Sequence, residues 1–186
     1  MRRSTMAMLA AGSLLSTPLA AQTSFAIGAA ATVGGSWQIE GLDLGWVKEV
    51  NAGPMRYFSL GGRVGLFVDQ DQITGGTRGV MGGLVMQTRT GLLSLADVGN
   101  ESNPSSLGLD LTFEGAVYGA ANNPLNQLGS VFGAVSVLPG VRIGAGPQMR
   151  YGLVFGPTVF FGKETEVRAF LALRFEVPLA RSRPQP

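Results

Sequence analysis

Side chains on a β-strand alternate between two faces, whereas a helix repeats its apolar positions every 3.6 residues. Most of this chain follows the first rule. Leu107, Leu109, Leu111, Phe113 and Val117 alternate with Gly108, Asp110, Thr112, Glu114 and Tyr118, and no helical period fits that run. Val167, Ala169, Leu171, Leu173, Phe175 and Val177 likewise share one face, with Arg168, Phe170, Ala172, Arg174 and Glu176 on the other. Earlier, Phe25, Ile27, Ala29, Ala31 and Val33 oppose Ser24, Ala26, Gly28, Ala30 and Thr32. Leu42, Leu44 and Trp46 then oppose Gly41, Asp43, Gly45 and Glu49, and Phe58, Leu60, Val64, Leu66 and Val68 oppose Tyr57, Ser59, Gly61, Arg63, Gly65 and Asp69. Two later stretches repeat the rule. Val131, Val135, Val137, Val141 and Ile143 stand against Ser136, Gly140 and Arg142, and Met149, Tyr151, Leu153, Phe155, Val159 and Phe161 against Arg150, Gly152, Gly156 and Thr158. The stretch 78–90 is the least regular, since Val80, Leu84 and Met86 point one way and Met81 and Val85 the other.

Turn-forming residues separate these eight stretches: Gly34-Gly35-Ser36, Asn51-Ala52-Gly53-Pro54, 69–76, Gly144-Ala145-Gly146-Pro147 and Gly162-Lys163-Glu164. Short links join antiparallel neighbours. Two connections, 96–105 and 120–129, are longer and more polar. Nothing in them reads as a domain linker, so residues 22–179 form one meander of eight strands, and the proline-rich 180–186 is a disordered tail.

The composition of the second face decides which way the apolar face points. A water-soluble barrel hides its apolar side and exposes long polar side chains, whereas a membrane barrel shows the apolar side to lipid. Here the second face is rich in Gly and Ala, with Arg63, Arg142, Arg150, Arg168 and Arg174 set among Asp43, Asp110, Glu114 and Glu176. That composition suits the interior of a closed barrel, where eight strands leave only enough room for side chains to fill. Opposite charges offset one another's loss of water there. Arginine outnumbers lysine, of which there are two, and guanidinium forks suit buried pairing with carboxylates. Backbone groups facing hydrocarbon need partners within the sheet, so the barrel must close. The pattern therefore predicts an all-β fold, a closed antiparallel up-and-down transmembrane β-barrel of eight strands. Trp37, Trp46, Tyr57 and Phe161 lie near predicted strand ends and are candidates for interfacial girdles. Lys48 falls on the apolar face close to a turn, from which its ammonium can reach the interface.

Glycine, at 28 of 186 residues, is about twice as common as usual, and the chain has no Cys and no His. Thiol nucleophiles, disulfides, imidazole acid/base chemistry and the commonest zinc and iron ligands are thereby excluded. A basic start at Arg2 and Arg3, an apolar run over 6–15 and small residues up to Ala21 form the three-part layout of a secretory signal over residues 1–21. Its removal leaves twelve basic against twelve acidic side chains, so the basic character of the whole sequence supplies no tract for nucleic acid. No stretch approaches the roughly 18 apolar residues of a spanning helix.

These features resemble the small outer-membrane β-barrel proteins of Gram-negative bacteria, the group that includes the OmpA transmembrane domain and OmpX. The resemblance covers nearly the whole exported chain and includes a last strand ending Leu171-Ala172-Leu173-Arg174-Phe175. It looks like the aromatic-terminated strand that the barrel assembly machinery reads in that family, although eleven residues follow Phe175 here. The resemblance implies outer-membrane lipid and the assembly machinery as partners, and the bacterial cell outer membrane as the location. Enzymatic barrels of similar size use a histidine, which this chain lacks. The remaining acid pairs, Asp69 with Asp71 and Asp110 with Glu114, read better as loop residues and as arginine partners than as acid/base or calcium sites. The sequence thus carries no cofactor, metal or catalytic assignment. A structural or interaction role with a charged, side-chain-filled lumen is expected; a narrow solute pore and a secreted lipocalin-like barrel binding an apolar ligand are the alternatives.

Overall fold

The structure, a computed structural model, describes residues 23–33, 37–52, 55–69, 79–100, 103–122, 128–145 and 149–179. The proposed signal segment 1–21 and the tail 180–186 lie outside the described residues. Eight strands follow in order: β1 (Thr23–Val33), β2 (Trp37–Ala52), β3 (Met55–Asp69), β4 (Gly79–Asn100), β5 (Asn103–Ala121), β6 (Val131–Ala145), β7 (Met149–Phe161) and β8 (Thr165–Pro178). Each pairs antiparallel with the next, and β8 pairs back onto β1, closing an up-and-down barrel of eight strands.

The register fixes the barrel's dimensions. A walk across partners from Ser24 passes Val47, Ser59, Gln87, Glu114, Ser136, Thr158 and Arg168. Because Ala169 is the partner of Val33, the walk returns to β1 one position beyond Val33, ten residues above its start. Eight strands with this shear tilt by about 41° from the axis, so each residue climbs roughly 2.5 Å along it. Between Ser136↔Thr158 and Gly140↔Val154 the β6–β7 ladder lapses, where Pro139 and Pro157 supply no N–H.

Exposure alternates as the pattern predicts, with the apolar set outward. Leu84, Val131, Val167 and Val117 are each more than 60% exposed. Arg63, Asp110, Glu114, Arg174 and Glu176 on the opposite parity are buried. Glycine makes the close approaches that a narrow bore requires. A Cβ on Gly28 would lie 2.6 Å from the Leu173 carbonyl oxygen and 3.1 Å from Arg174 Cγ, at the seam where β1 meets β8.

Three features differ from the sequence reading. The polar connection expected over 96–105 is largely strand: β4 runs to Asn100 and β5 begins at Asn103. Register shifts between Gly91 and Leu93 and between Ser94 and Ala96 insert an extra residue each and interrupt the period-two signal. Tyr57 is not a girdle residue, because it shares the inward parity of Ser59 and Arg63, and its ring lies under Arg89 and Arg150, at 4.4 and 5.3 Å. The lumen also holds a substantial apolar plug besides small residues and charges. Phe132 packs against Phe67, Tyr118 and Phe160 with ring centroids 6.3, 5.1 and 6.2 Å away, and Ile39, Met81, Val85 and Leu128 belong to the same cluster. It occupies the loop end of the barrel, opposite the end where Thr23 and Pro178 lie.

The outward aromatics sit mainly at the terminal end. Phe25 meets Trp46 edge-on at 6.3 Å and Tyr151 meets Phe175 at 5.4 Å, with Phe58 alongside on β3. Phe161 faces outward at the loop end, and the side chain of Trp37 is outside the described set.

Candidate functional site

The interior of the barrel is where the polar chemistry concentrates, in two arginine–carboxylate clusters stacked beneath the apolar plug. Strand parity delivers each member: β2, β3, β5 and β8 turn Asp43, Arg63, Glu114 and Arg174 to the same level. Glu114 is the hub of this middle cluster. It accepts Arg63 Nη1 at 2.8 Å, Arg63 Nη2 at 3.2 Å, Arg174 Nη2 at 2.7 Å and Gln87 Nε2 at 2.9 Å. Arg63 also forks onto Asp43 at 2.5 and 3.0 Å, donates to the Tyr118 hydroxyl at 2.6 Å and lies 4.7 Å from the centre of the Phe170 ring. Two guanidinium groups thus face two carboxylates, and the cluster is formally neutral.

The second cluster lies toward the terminal end. Arg89 places both Nη atoms on Glu176, at 2.8 and 3.2 Å, and its Nε is 3.5 Å from Asp110. Arg142 Nε donates to Asp110 at 2.9 Å and its Nη1 reaches Ser106 at 3.5 Å. Tyr57 closes this mouth beneath the guanidinium groups of Arg89 and Arg150. Such stacking is favourable because a cation is drawn to the negative face of the ring.

All nine residues assigned to the lumen from sequence, Asp43, Arg63, Asp110, Glu114, Arg142, Arg150, Arg168, Arg174 and Glu176, stand at inward strand positions. They do not form one network. Arg168 lies near the loop end, with its Nη2 on Glu166 of the same strand at 3.0 Å, apart from both clusters. Arg150 sits opposite Glu176 in the register and over the Tyr57 ring. Sequence reasoning missed Arg89, Gln87 and Tyr118 as polar partners. The first two lie on β4, where apolar residues on both faces hid the inward parity.

Of the acid pairs weighed for catalysis or metal binding, Asp110 with Glu114 is not brought together. Asp110 and Glu114 belong to different clusters, each held by arginines. Asp71 lies outside the described residues, as does the side chain of Asp69. Among the described residues, no three metal-ligating side chains converge.

Little space remains between these side chains. A cavity of about 30 Å³ is lined by Tyr57, Ser59, Gln87, Arg89, Arg174 and Glu176, and another of about 20 Å³ by Asp43, Ser59, Gln87 and Arg174. Each is close to the share of one water molecule. The Nε–H groups of Arg89 and Arg174 find no hydrogen-bond acceptor among the described residues, and both side chains line the larger space.

No protein-family model matches the chain. No curated protein matches it either. Among solved structures, it is similar to the crystal structure of Neisserial surface protein A, with a TM-score of 0.43 and 12% sequence identity over 87% of this chain and 98% of that one.

Proposed function

We propose that the chain is an integral protein of the bacterial outer membrane whose barrel is a closed, side-chain-filled body with a structural or interaction role. The observation that carries this reading is the inversion of the usual soluble pattern. Leucines and valines stand outward along every strand, while among the described side chains the outward charged ones are Glu40 and Lys48. In water such a surface would be a continuous apolar patch far beyond the few hundred Å² that soluble monomers expose. In a bilayer it is the lipid-facing band, and the terminal-end aromatics fit an interfacial girdle. The interior supports a filled lumen over an open one: an aromatic plug at one end, two arginine–carboxylate clusters below it, and cavities of single-water size. Among the described residues the same filling leaves no interior chamber of the hundreds of Å³ that an apolar ligand would need.

Membrane fractionation followed by gel electrophoresis of unheated and heated samples tests this. A closed barrel in the membrane fraction is expected to migrate as a compact band until boiled, and to give no steady current in a planar bilayer. Recovery in the aqueous fraction without detergent would refute the membrane assignment, and discrete open steps from the unaltered chain would refute the filled lumen.

A further inference from the structure

Resting on that membrane reading, we propose that the outer wall of the barrel carries a lipid-binding groove around β1 that selects an acyl-chain lipid with a primary-amine headgroup, recognised by Glu40. Outward side chains line up in rows across the strands. One row passes Leu173, Ala29 and Leu42, and the next passes Leu171, Ala31 and Glu40. Both rows drop to alanine on β1 between larger residues on β8 and β2. The two methyl groups lie in the floor of an open groove of about 910 Å³ that extends across β2 to Leu66 and Val80. That volume lies in the range of small-molecule sites, roughly 300–1,000 Å³, and its apolar walls suit a hydrocarbon chain.

Glu40 supplies the selectivity. Its side chain is exposed on this groove and has no hydrogen bond or ion pair among the described residues. Lys48, the other outward charge among the described side chains, lies eight residues along the same strand, about 20 Å away along the axis, and cannot reach it. A lone carboxylate beside hydrocarbon is costly and calls for a cation from the lipid side. Along the axis Glu40 stands roughly 6 Å below Phe161, close enough to the loop-end interface for its side chain to extend toward the headgroups. A primary ammonium offers both the charge and the N–H donors that a carboxylate accepts.

The test uses the full chain reconstituted in mixed vesicles of phosphatidylethanolamine and phosphatidylglycerol, then released gently and weighed by native mass spectrometry. The unaltered barrel is expected to retain phosphatidylethanolamine at least several-fold over phosphatidylglycerol. Glu40→Gln should lose that preference while still retaining lipid, and Ala31→Leu, which fills the groove, should lower retention of both. Unheated gel mobility establishes that each variant is a closed barrel. Equal retention of the two lipids by the unaltered chain, or an unchanged preference in Glu40→Gln, overturns the proposal. A dimer mass that depends on Glu40 overturns it also, in favour of a second copy in the groove. If the chain fails to enter vesicles or to form a heat-sensitive compact band, the membrane reading itself has failed, a result distinct from an inserted barrel without preference.

Discussion

Replacing Glu114 with alanine removes the acceptor of four hydrogen bonds from Arg63, Arg174 and Gln87. It leaves two buried guanidinium groups with Asp43 as their nearest carboxylate, in contact with Arg63 but 3.8 Å from Arg174 Nε. The middle cluster then carries one uncompensated positive charge in a space with room for about one water molecule per cavity. Breaking a buried pair in this way costs about 3–5 kcal/mol, far more than the pair contributes relative to an apolar replacement. With a urea slope of roughly 2 kcal/mol per M, the unfolding midpoint should fall by roughly 2 M. Trp46 emission in micelles provides the assay, since this outward ring leaves the detergent as the barrel opens, and the unheated gel band gives an independent readout. Neutrality of the cluster, rather than any single contact, sets this cost. The double variant Glu114→Gln with Arg174→Met should therefore be more stable than the sum of the two single losses, by at least about 1 kcal/mol of coupling. A Glu114→Ala cost below about 1 kcal/mol, or strict additivity in the double variant, would show that water enters the lumen freely and that the charges are not paired in a dry space.

Five further substitutions have outcomes set by the geometry. Phe132→Ala removes the ring at the centre of the loop-end plug and should cost about 3–5 kcal/mol in the same unfolding assay. Leu84→Arg, at a 71% exposed position in the middle of the outward band, should cost about 2–4 kcal/mol in lipid vesicles, whereas Lys48→Leu near the terminal end should change stability by less than about 1 kcal/mol. Gly28→Val drives a side chain into the Leu173 carbonyl and the Arg174 stem, so the compact unheated band should weaken or vanish. Glu166→Gln, which loosens a partly exposed pair with Arg168 away from both clusters, should shift the midpoint by well under 1 kcal/mol.

The strands were most legible where the two faces differ in chemistry. On β5 and β8 leucine alternates with Asp, Glu and Arg, and both the element and the direction of each side chain follow from composition alone. On β4 the inward Met81 and Val85 belong to the apolar plug, so both faces are apolar and the alternation disappears. That is why Arg89 went unassigned, although it links Glu176 and Asp110. The overhang of β4 was illegible for another reason: the extra residues at its two register shifts bring Leu92, Leu93 and Leu95 to exposed positions, which breaks any period of two. Phe67, Phe132 and Phe160 share the parity of Arg63, Ser136 and Thr158, but, being large and apolar themselves, they blur the contrast between the two faces at the loop end. The division of the lumen charges into two clusters also depends on height along the axis, set by the shear rather than by any local sequence.

The ion pairs of the middle cluster bridge residues 20, 51 and 60 positions apart in the chain, and the pair between Arg89 and Glu176 spans 87. A partly built barrel therefore cannot pair all of its charges. With β1 to β5 in place, Arg63 could meet Asp43 and Glu114 and Arg89 could meet Asp110, but Arg89 would still await the final strand for Glu176, the carboxylate that takes both of its Nη atoms. Insertion strand by strand is disfavoured on these grounds. On the proposed membrane reading, the last strand brings Glu176 to Arg89 and Arg174 to Glu114 and seals the cylinder in the same event, so insertion is expected to couple to completion of the interior.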